Sequence, residues 1–189
     1  DELDWIKECL VDKKDIIQKH LYGDIDMSYL EEQVRIDKGN PAFFIQLHAT
    51  LTCLRDGKFT HPLIYANSIK RIKMFMACLK AMAPLYNVEI EYDAIMTSKD
   101  KVDKRILDLE TKFAKSKIGV VGNVYCLQEG ISINEVDSVV MVDPRSSAPS
   151  IIQILGRPVR LDINNPGKIA NILLPIMINK SSTGKVMID

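Results

Sequence analysis

The feature that most constrains the fold is an alternation of short apolar runs with segments of helical periodicity, which begins at Pro62. Five runs have the length and the apolar content of buried strands. They are residues 63–66, 88–95, 118–121, 139–142 and 169–178. Strands that alternate with helices join through right-handed crossovers and form a mainly parallel sheet with helices on both faces. The alternation therefore predicts an α/β fold, with functional loops at the carboxyl ends of the strands.

The first part of the chain has a different pattern. Apolar residues recur there at helical spacing, as in the set Phe44, Leu47, Leu51 and Leu54. We therefore predict a helical N-terminal segment over residues 1–57, which would be a linker or an accessory element. The α/β domain would follow over residues 58–189.

The composition narrows the classes of function. The chain has 25 basic and 25 acidic residues, so its net charge is zero and any polynucleotide contact must be local or shared with a partner. The sequence contains no uncharged apolar run of the roughly 18 residues that a membrane span needs, so no membrane partner is expected. Its four cysteines and three histidines have no metal-ligand spacing. We expect no metal site and an intracellular, reducing location, cytoplasmic or nuclear.

Residues 153–160 contain the residue types with the clearest chemistry. They are Gln-Ile-Leu-Gly-Arg-Pro-Val-Arg, and a helix would bring Gln153, Arg157 and Arg160 close to one face. Guanidinium groups are costly to bury unpaired, and their planar fork suits phosphate oxygens. The residues alone leave two interpretations open: an anion site, or arginines that pair with a carboxylate such as Asp143 or Asp162. Pro158 should end the helix near Arg157, so the shared face is approximate.

A longer run has the order of a known set of motifs. It contains Leu-x-Glu-Gly-Ile-x-Ile at 127–133, Val-Asp-x-Val-Val at 136–140, Asp-Pro-Arg at 143–145 and Gln-x-x-Gly-Arg-x-x-Arg at 153–160. This order resembles motifs V and VI of superfamily 2 helicases, most of all the restriction-enzyme-type and large-DNA-virus branch. The strand at 63–66, with Asn67-Ser68 and the helix after it, resembles motif IV. The resemblance covers about residues 58–178 and implies a C-terminal, RecA-like helicase domain of a viral protein or a similar one.

The resemblance implies an ATP-dependent helicase, an NTP phosphohydrolase, in which ATP and Mg²⁺ lie between two RecA-like domains. The first domain would supply the phosphate loop and the acidic metal-binding motif, and this sequence has neither. We therefore expect the chain to be inactive alone and to need the first RecA-like domain of the same polypeptide. By resemblance, Arg160 and Arg157 match arginine-finger positions, and Gln153 matches the residue that couples nucleotide state to domain closure.

The remaining matches concern the motif V turn and the polynucleotide. Glu129 and Gly130 match the turn between the nucleotide cleft and the bound strand. Ser132 stands where many relatives have an aspartate that is a candidate nucleotide contact, so the serine weakens the expectation of such a contact here. Positions that hold phosphates of DNA or RNA are matched by Asn67, Ser68 and Asn123. The helix after Asn67 also has a basic set without an acidic residue from 68 to 83: Lys70, Arg71, Lys73 and Lys80.

Two other functions remain open from the sequence. One is a catalytically inert RecA-like scaffold or protein-interaction module, whose N-terminal helices would form the partner surface. The presence of both Arg157 and Arg160 favours the motor over this alternative. The other is a small nucleotide-binding α/β enzyme, which would need a glycine-rich phosphate loop that residues 63–68 do not provide.

Overall fold

The computed structural model describes residues 2–20, 28, 42–97, 107–124, 133–144, 148–160, 165–174, 178–180 and 186–188. The α-helices in these ranges are α1 (Glu2–Asp12), α2 (Lys14–His20), α3 (Ala42–Arg55), α4 (Ile69–Met82) and α5 (Ala148–Leu155). The strands are β1 (Pro62–Tyr65), β2 (Tyr92–Thr97), β3 (Gly119–Val124), β4 (Ser138–Met141), β5 (Asn171–Leu173), β6 (Ile178–Lys180) and β7 (Val186–Ile188). A 3₁₀ helix spans Ala83–Tyr86 and a π-helical turn spans Leu109–Phe113.

Five strands form one parallel sheet in the order β2-β3-β1-β4-β5. In the central register, Leu63 of β1 lies beside Val121 of β3 on one side and Val139 of β4 on the other. Helices cover both faces of this sheet, which confirms the predicted RecA-like α/β fold class with an N-terminal helical segment.

The strands bury alternate residues on opposite faces, as the two-residue period of an extended chain requires. One face packs against α5 and the Leu109–Phe113 turn through Leu63, Tyr65, Val121, Val139 and Met141. The other face packs against the helices α1–α4 through Ile64, Ala66, Val120, Val140 and Val142. Because both faces are covered, the central strands are apolar throughout, which is why they stood out in the sequence.

Helix α4 lies closest to the sheet at Gly122. A methyl group on Gly122 would come within 2.7 Å of Ile72 Cγ1 and 3.0 Å of Met76 Cγ, so the glycine permits a contact that a side chain would prevent. The inner face of this helix is fully buried at Ile72, Phe75, Met76 and Leu79. The helix ends at Met82, shortly before Pro84, because proline cannot continue an α-helix.

Two strand predictions need correction. The run at 88–95 begins too early, since Val88 donates its backbone N–H to Ala83 O in a turn and β2 starts at Tyr92. Val88 is nevertheless buried, so an apolar residue in a turn was mistaken for strand. The run at 169–178 is not one strand, because β5 ends at Leu173 and β6 pairs antiparallel with β7 in a separate two-stranded sheet. Pro175 lies between them in the sequence and has no N–H for a ladder.

The N-terminal helices share a core with the sheet. Ile6, Leu10 and Ile17 belong to the same buried cluster as α3, α4 and the sheet residues beneath them. The division after residue 57 stays a prediction, but α1–α3 pack onto the α/β layers in the structure. Within the described ranges, no helix combines the length and the apolar character that a membrane crossing requires.

Candidate functional site

The carboxyl ends of β1 and β4 meet in one network of hydrogen bonds. Val142 donates its backbone N–H to Tyr65 O over 2.8 Å. Asn67 donates its backbone N–H to Asp143 Oδ2 over 2.9 Å, and its side-chain amide lies 3.5 Å from Pro144 O. The segments that resemble motif IV and the Asp-Pro-Arg run are therefore joined directly at this edge of the sheet.

Ser68 is the N-cap of α4. Its Oγ accepts the backbone N–H of Arg71 over 3.2 Å, and its backbone is extended, as is usual for a cap. The side chains of Asn67, Ser68 and Lys70 are exposed around this end of the helix. The end thus combines a partial positive charge from the helix dipole with a lysine, a combination that suits an anion.

Arg71 lies apart from this exposed group. Its Nε forms an ion pair with Asp143 Oδ1, and the two side chains are 16% and 11% exposed. Its guanidinium also lies over the ring of Phe43, 5.2 Å from the centroid. A carboxylate of the same domain therefore engages the charge of Arg71, and the nucleic-acid contact of this residue stays a prediction. Asp143 was proposed from the sequence as a partner of the motif VI arginines, and it pairs with Arg71 instead.

A second basic residue of α4 is also engaged by an acidic residue of the same domain. Lys80 Nζ lies 2.9 Å from Asp93 Oδ1 on β2, so that lysine ties the helix to the sheet. Lys73 is only half-buried and Lys70 is exposed. The local basic surface expected from the sequence is therefore smaller than predicted and is centred on Lys70.

Asn123 occupies the carboxyl half of β3, where it lies beside Tyr65 in the sheet register. Its side chain is fully buried, and its backbone oxygen is 3.5 Å from the amide nitrogen of Ala66. The side chain therefore faces the interior of this domain, and the phosphate contact of Asn123 stays a prediction.

The motif VI segment begins on α5 and continues into a turn. Ile154 anchors α5 in the core, whereas Gln153 is exposed. After Leu155 the backbone tightens, with Arg157 N–H donating to Ile154 O over 3.2 Å and Arg160 N–H donating to Arg157 O over 3.3 Å. The helix thus ends just before Arg157, close to where Pro158 placed its end.

The two arginines differ in exposure. Arg157 is only 6% exposed, whereas Arg160 is partly exposed, and their arginine-finger roles stay predictions. Burial lowers the pKa of Arg157, the phenol of Tyr65 raises that pKa, and the neighbouring charge of Arg160 lowers it. The charge of Arg160 thus acts on Arg157, and guanidinium groups are the type of side chain that suits phosphate oxygens.

Several predicted residues lie outside the described ranges. These are the motif V residues Glu129, Gly130 and Ser132, and the possible arginine partner Asp162. Their roles stay predictions. Among the described residues, no group of three or more His, Cys, Asp and Glu side chains is arranged to hold a metal ion.

Sequence analysis missed an anchor at the opposite edge of the sheet. Asp137, just before β4, accepts the backbone N–H of Thr60 over 2.6 Å and that of His61 over 2.9 Å. The Thr60 hydroxyl donates to the same carboxylate over 3.0 Å. The Val-Asp pair in the motif run was the available indication, because a carboxylate next to a buried strand needs donors.

Comparison with known proteins identifies a family for this chain. The family of the helicase conserved C-terminal domain matches residues 45–162. No curated protein sequence matches the chain. Among solved structures, the C-terminal part of the Fun30 ATPase domain aligns with 90% of this chain and 48% of its own length, at 16% identity and a TM-score of 0.55.

Two larger enzymes contain a similar fold. The type ISP restriction-modification enzyme LlaBIII, bound to DNA, aligns with 89% of this chain and 12% of its own, at 20% identity and a TM-score of 0.50. The Mycobacterium smegmatis helicase Lhr, bound to ssDNA and AMP-PNP, aligns with 72% of this chain and 17% of its own, at 18% identity and a TM-score of 0.50. The chain thus spans about half or less of each of these three proteins. Since the family match covers more than half of the chain, this chain belongs to the helicase conserved C-terminal domain family.

Proposed function

We propose that this chain is the second motor domain of an ATP-dependent nucleic-acid helicase or translocase. Its family is the first support. The observation that carries the proposal is the turn after α5, which holds buried Arg157 and partly exposed Arg160 together through a backbone hydrogen bond from Arg160 N–H to Arg157 O over 3.3 Å. Such a pair is suited to a phosphate brought by another domain, here the first RecA-like domain of the same polypeptide.

In this proposal ATP and Mg²⁺ would be held mainly by the first domain, where the metal would neutralise charge on the phosphates. Arg160 reaches across the cleft and stabilises negative charge that develops on the transferred phosphoryl group. Arg157, which is fixed by burial, adds positive potential behind it and orients the turn. Gln153, exposed on the preceding helix turn, faces the cleft and senses whether nucleotide is bound. The predicted motif V residues Glu129, Gly130 and Ser132 would line the same cleft.

The polynucleotide side is proposed to be the N-terminus of α4. Asn67, Ser68 and Lys70 are exposed there, and a helix N-terminus favours phosphate oxygens. LlaBIII and Lhr, whose folds are similar, were solved with DNA and ssDNA. Contacts of this kind read the backbone of DNA or RNA rather than its bases, so binding would be independent of sequence and would weaken with salt.

The test is ATP hydrolysis by the whole protein that contains this chain, with Arg160→Ala as the variant. Loss of an arginine finger lowers turnover by about 10³–10⁵-fold. Arg55→Ala is the matched control, because Arg55 is an exposed arginine at the end of α3 that pairs with its neighbour Asp56. Both variants should keep the circular dichroism spectrum of the parent.

If Arg160→Ala hydrolyses ATP as fast as Arg55→Ala, the arginine-finger role is excluded. Absence of ATP hydrolysis in the unaltered protein, with or without a polynucleotide, would instead favour the inert scaffold. In that case the exposed apolar side chains Ile152 and Val159, which are 70% and 62% exposed beside the arginines, would mark a protein-docking face. The restriction-type or viral branch and the intracellular location stay predictions.

A further inference from the structure

One carboxylate is shared by both sides of the turn between β1 and α4. Asp143 Oδ2 accepts the backbone N–H of Asn67, which precedes the helix cap, over 2.9 Å. Asp143 Oδ1 pairs with Arg71, which lies in the first turn after the cap. The carboxylate therefore holds the turn at two points on either side of Ser68, the residue whose exposed surroundings we assign to polynucleotide contact.

The partner of this carboxylate is itself held in place. The Arg71 guanidinium lies over Phe43 of α3, and Phe43 is fully buried. Both side chains of the ion pair are mostly removed from solvent, at 16% and 11% exposure. Water screens such a pair less than it screens a surface pair, and the pair fixes its geometry more strongly. The link between Asp143 and the turn is therefore a stiff one.

Asp143 also lies close in sequence to α5, the helix that precedes the motif VI arginines. Asp143 follows β4, and α5 begins at Ala148, only a few residues later. The same segment is tied to β1 by the bond from Val142 N–H to Tyr65 O. The phenol of Tyr65, in turn, raises the pKa of Arg157 in the turn after α5. The network thus links the exposed turn at Asn67 and Ser68 with buried Asp143, which lies a few residues before α5 in the sequence.

We propose that Asp143 and Arg71 are positioning residues that couple the polynucleotide side of this domain to its nucleotide side. The proposal rests on the motor function proposed above. The ion pair holds the Asn67–Ser68 turn in register with the segment that leads into α5, so that a polynucleotide bound at the turn favours the orientation of α5 that places Arg160. Neither residue touches ATP or the polynucleotide.

The experiment measures ATP turnover of the whole protein against polynucleotide concentration. Asp143→Asn keeps the size of the side chain and an acceptor for Asn67 but removes the ion pair, and Arg71→Gln removes it from the other side. Each should lower the ratio of stimulated to unstimulated turnover by about fivefold or more, the lower range of measured coupling between sites. Arg71→Lys, which keeps the charge, should restore part of the ratio.

Two further variants separate coupling from general stability. The double variant Asp143→Asn with Arg71→Gln should be no worse than either single variant, because both remove one interaction. Asp93→Asn is the matched control, since it removes the ion pair between Lys80 of the same helix and Asp93 of β2. The charged atoms of that pair are 2.9 Å apart, and β2 does not neighbour β4 in the sheet. Asp93→Asn should leave the stimulation ratio within about twofold of the parent.

The outcomes distinguish the two proposals. An unaltered protein without polynucleotide-stimulated ATP hydrolysis refutes the motor function and the coupling together. An unaltered protein that is stimulated, with Asp143→Asn stimulated equally, refutes the coupling alone. A lower melting temperature in Asp143→Asn and Asp93→Asn alike, without a change in the ratio, would show that the Arg71–Asp143 pair is only structural.

Discussion

Replacing Gly122 with alanine should destabilise the domain through a steric conflict that can be located to two atoms. The added methyl group would lie 2.7 Å from Ile72 Cγ1 and 3.0 Å from Met76 Cγ, both shorter than carbon atoms tolerate. Ile72 is fully buried and its Cγ1 is close to the helix backbone, so α4 has to move rather than a flexible side-chain end. Overpacking of this kind costs about 1–3 kcal/mol.

A matched control removes the other effects of a glycine-to-alanine change. A methyl group on Gly167 would meet nothing within 4 Å, and Gly167 does not have a positive φ. Gly167→Ala should therefore be neutral or more stable by about 0.4–1 kcal/mol, because alanine restricts the unfolded chain. The difference between the two variants in free energy of unfolding isolates the clash, and we expect about 1–3 kcal/mol.

The assay is urea unfolding at 25 °C, followed by far-UV circular dichroism, with midpoints and slopes compared across the variants. Adding Ile72→Ala to Gly122→Ala should shrink the penalty of the glycine change, because the nearest atom is gone and the two sites are in contact. Equal unfolding midpoints for Gly122→Ala and Gly167→Ala would refute the claim that α4 and β3 are in contact too close for a side chain.

Two more predictions follow from buried groups. Asp137→Ala should lower the free energy of unfolding by about 1.5–3 kcal/mol, because the Thr60 and His61 backbone donors lose a charged acceptor. Urea unfolding measures this loss of stability. A loss smaller than that of an exposed control such as Lys115→Ala would contradict the prediction. Burial strongly raises the pKa of the Cys78 thiol above that of a thiol in the unfolded chain, which is about 8.5. The neutral buried thiol should therefore stabilise the fold fully below about pH 8.5, and this stabilisation should be lost as the pH rises above that value, because only the unfolded chain ionises there. Unfolding at pH 7 and pH 10 should show a smaller loss of stability in Cys78→Ala than in the parent, and identical losses would be inconsistent with the burial.

The central strands could be predicted because burial on both faces leaves a plain trace in the sequence. The runs at 63–66, 118–121 and 139–142 differ from β1, β3 and β4 by no more than a few residues. The cap at Ser68 was also predictable, since capping depends on residues three positions apart. Local rules fail at Val88, an apolar residue that is buried without being part of a strand.

The site was less predictable than the fold, because its chemistry depends on partners distant in the sequence. Arg71 looked like a phosphate ligand until Asp143 was found beside it. Asn123 looked accessible until the sheet order buried it between β1 and β2. The exposure of Arg157 likewise depended on how the turn after α5 packs near Tyr65. Residue type indicated the kind of interaction in each case, but only the three-dimensional arrangement decided whether the partner was internal.

The two aspartates that flank β4 have a common consequence. Asp137 ties the amino end of β4 to the residues before β1, and Asp143 ties its carboxyl end to the turn after β1. Strands β1 and β4 are therefore clamped at both ends in addition to their own ladder. Because β1 leads into α4 and β4 leads into α5, a rigid pair of strands connects the two proposed contact regions. In the proposed motor, a movement driven by nucleotide would displace β1 and β4 as one unit, since bending one strand against the other would have to break both clamps.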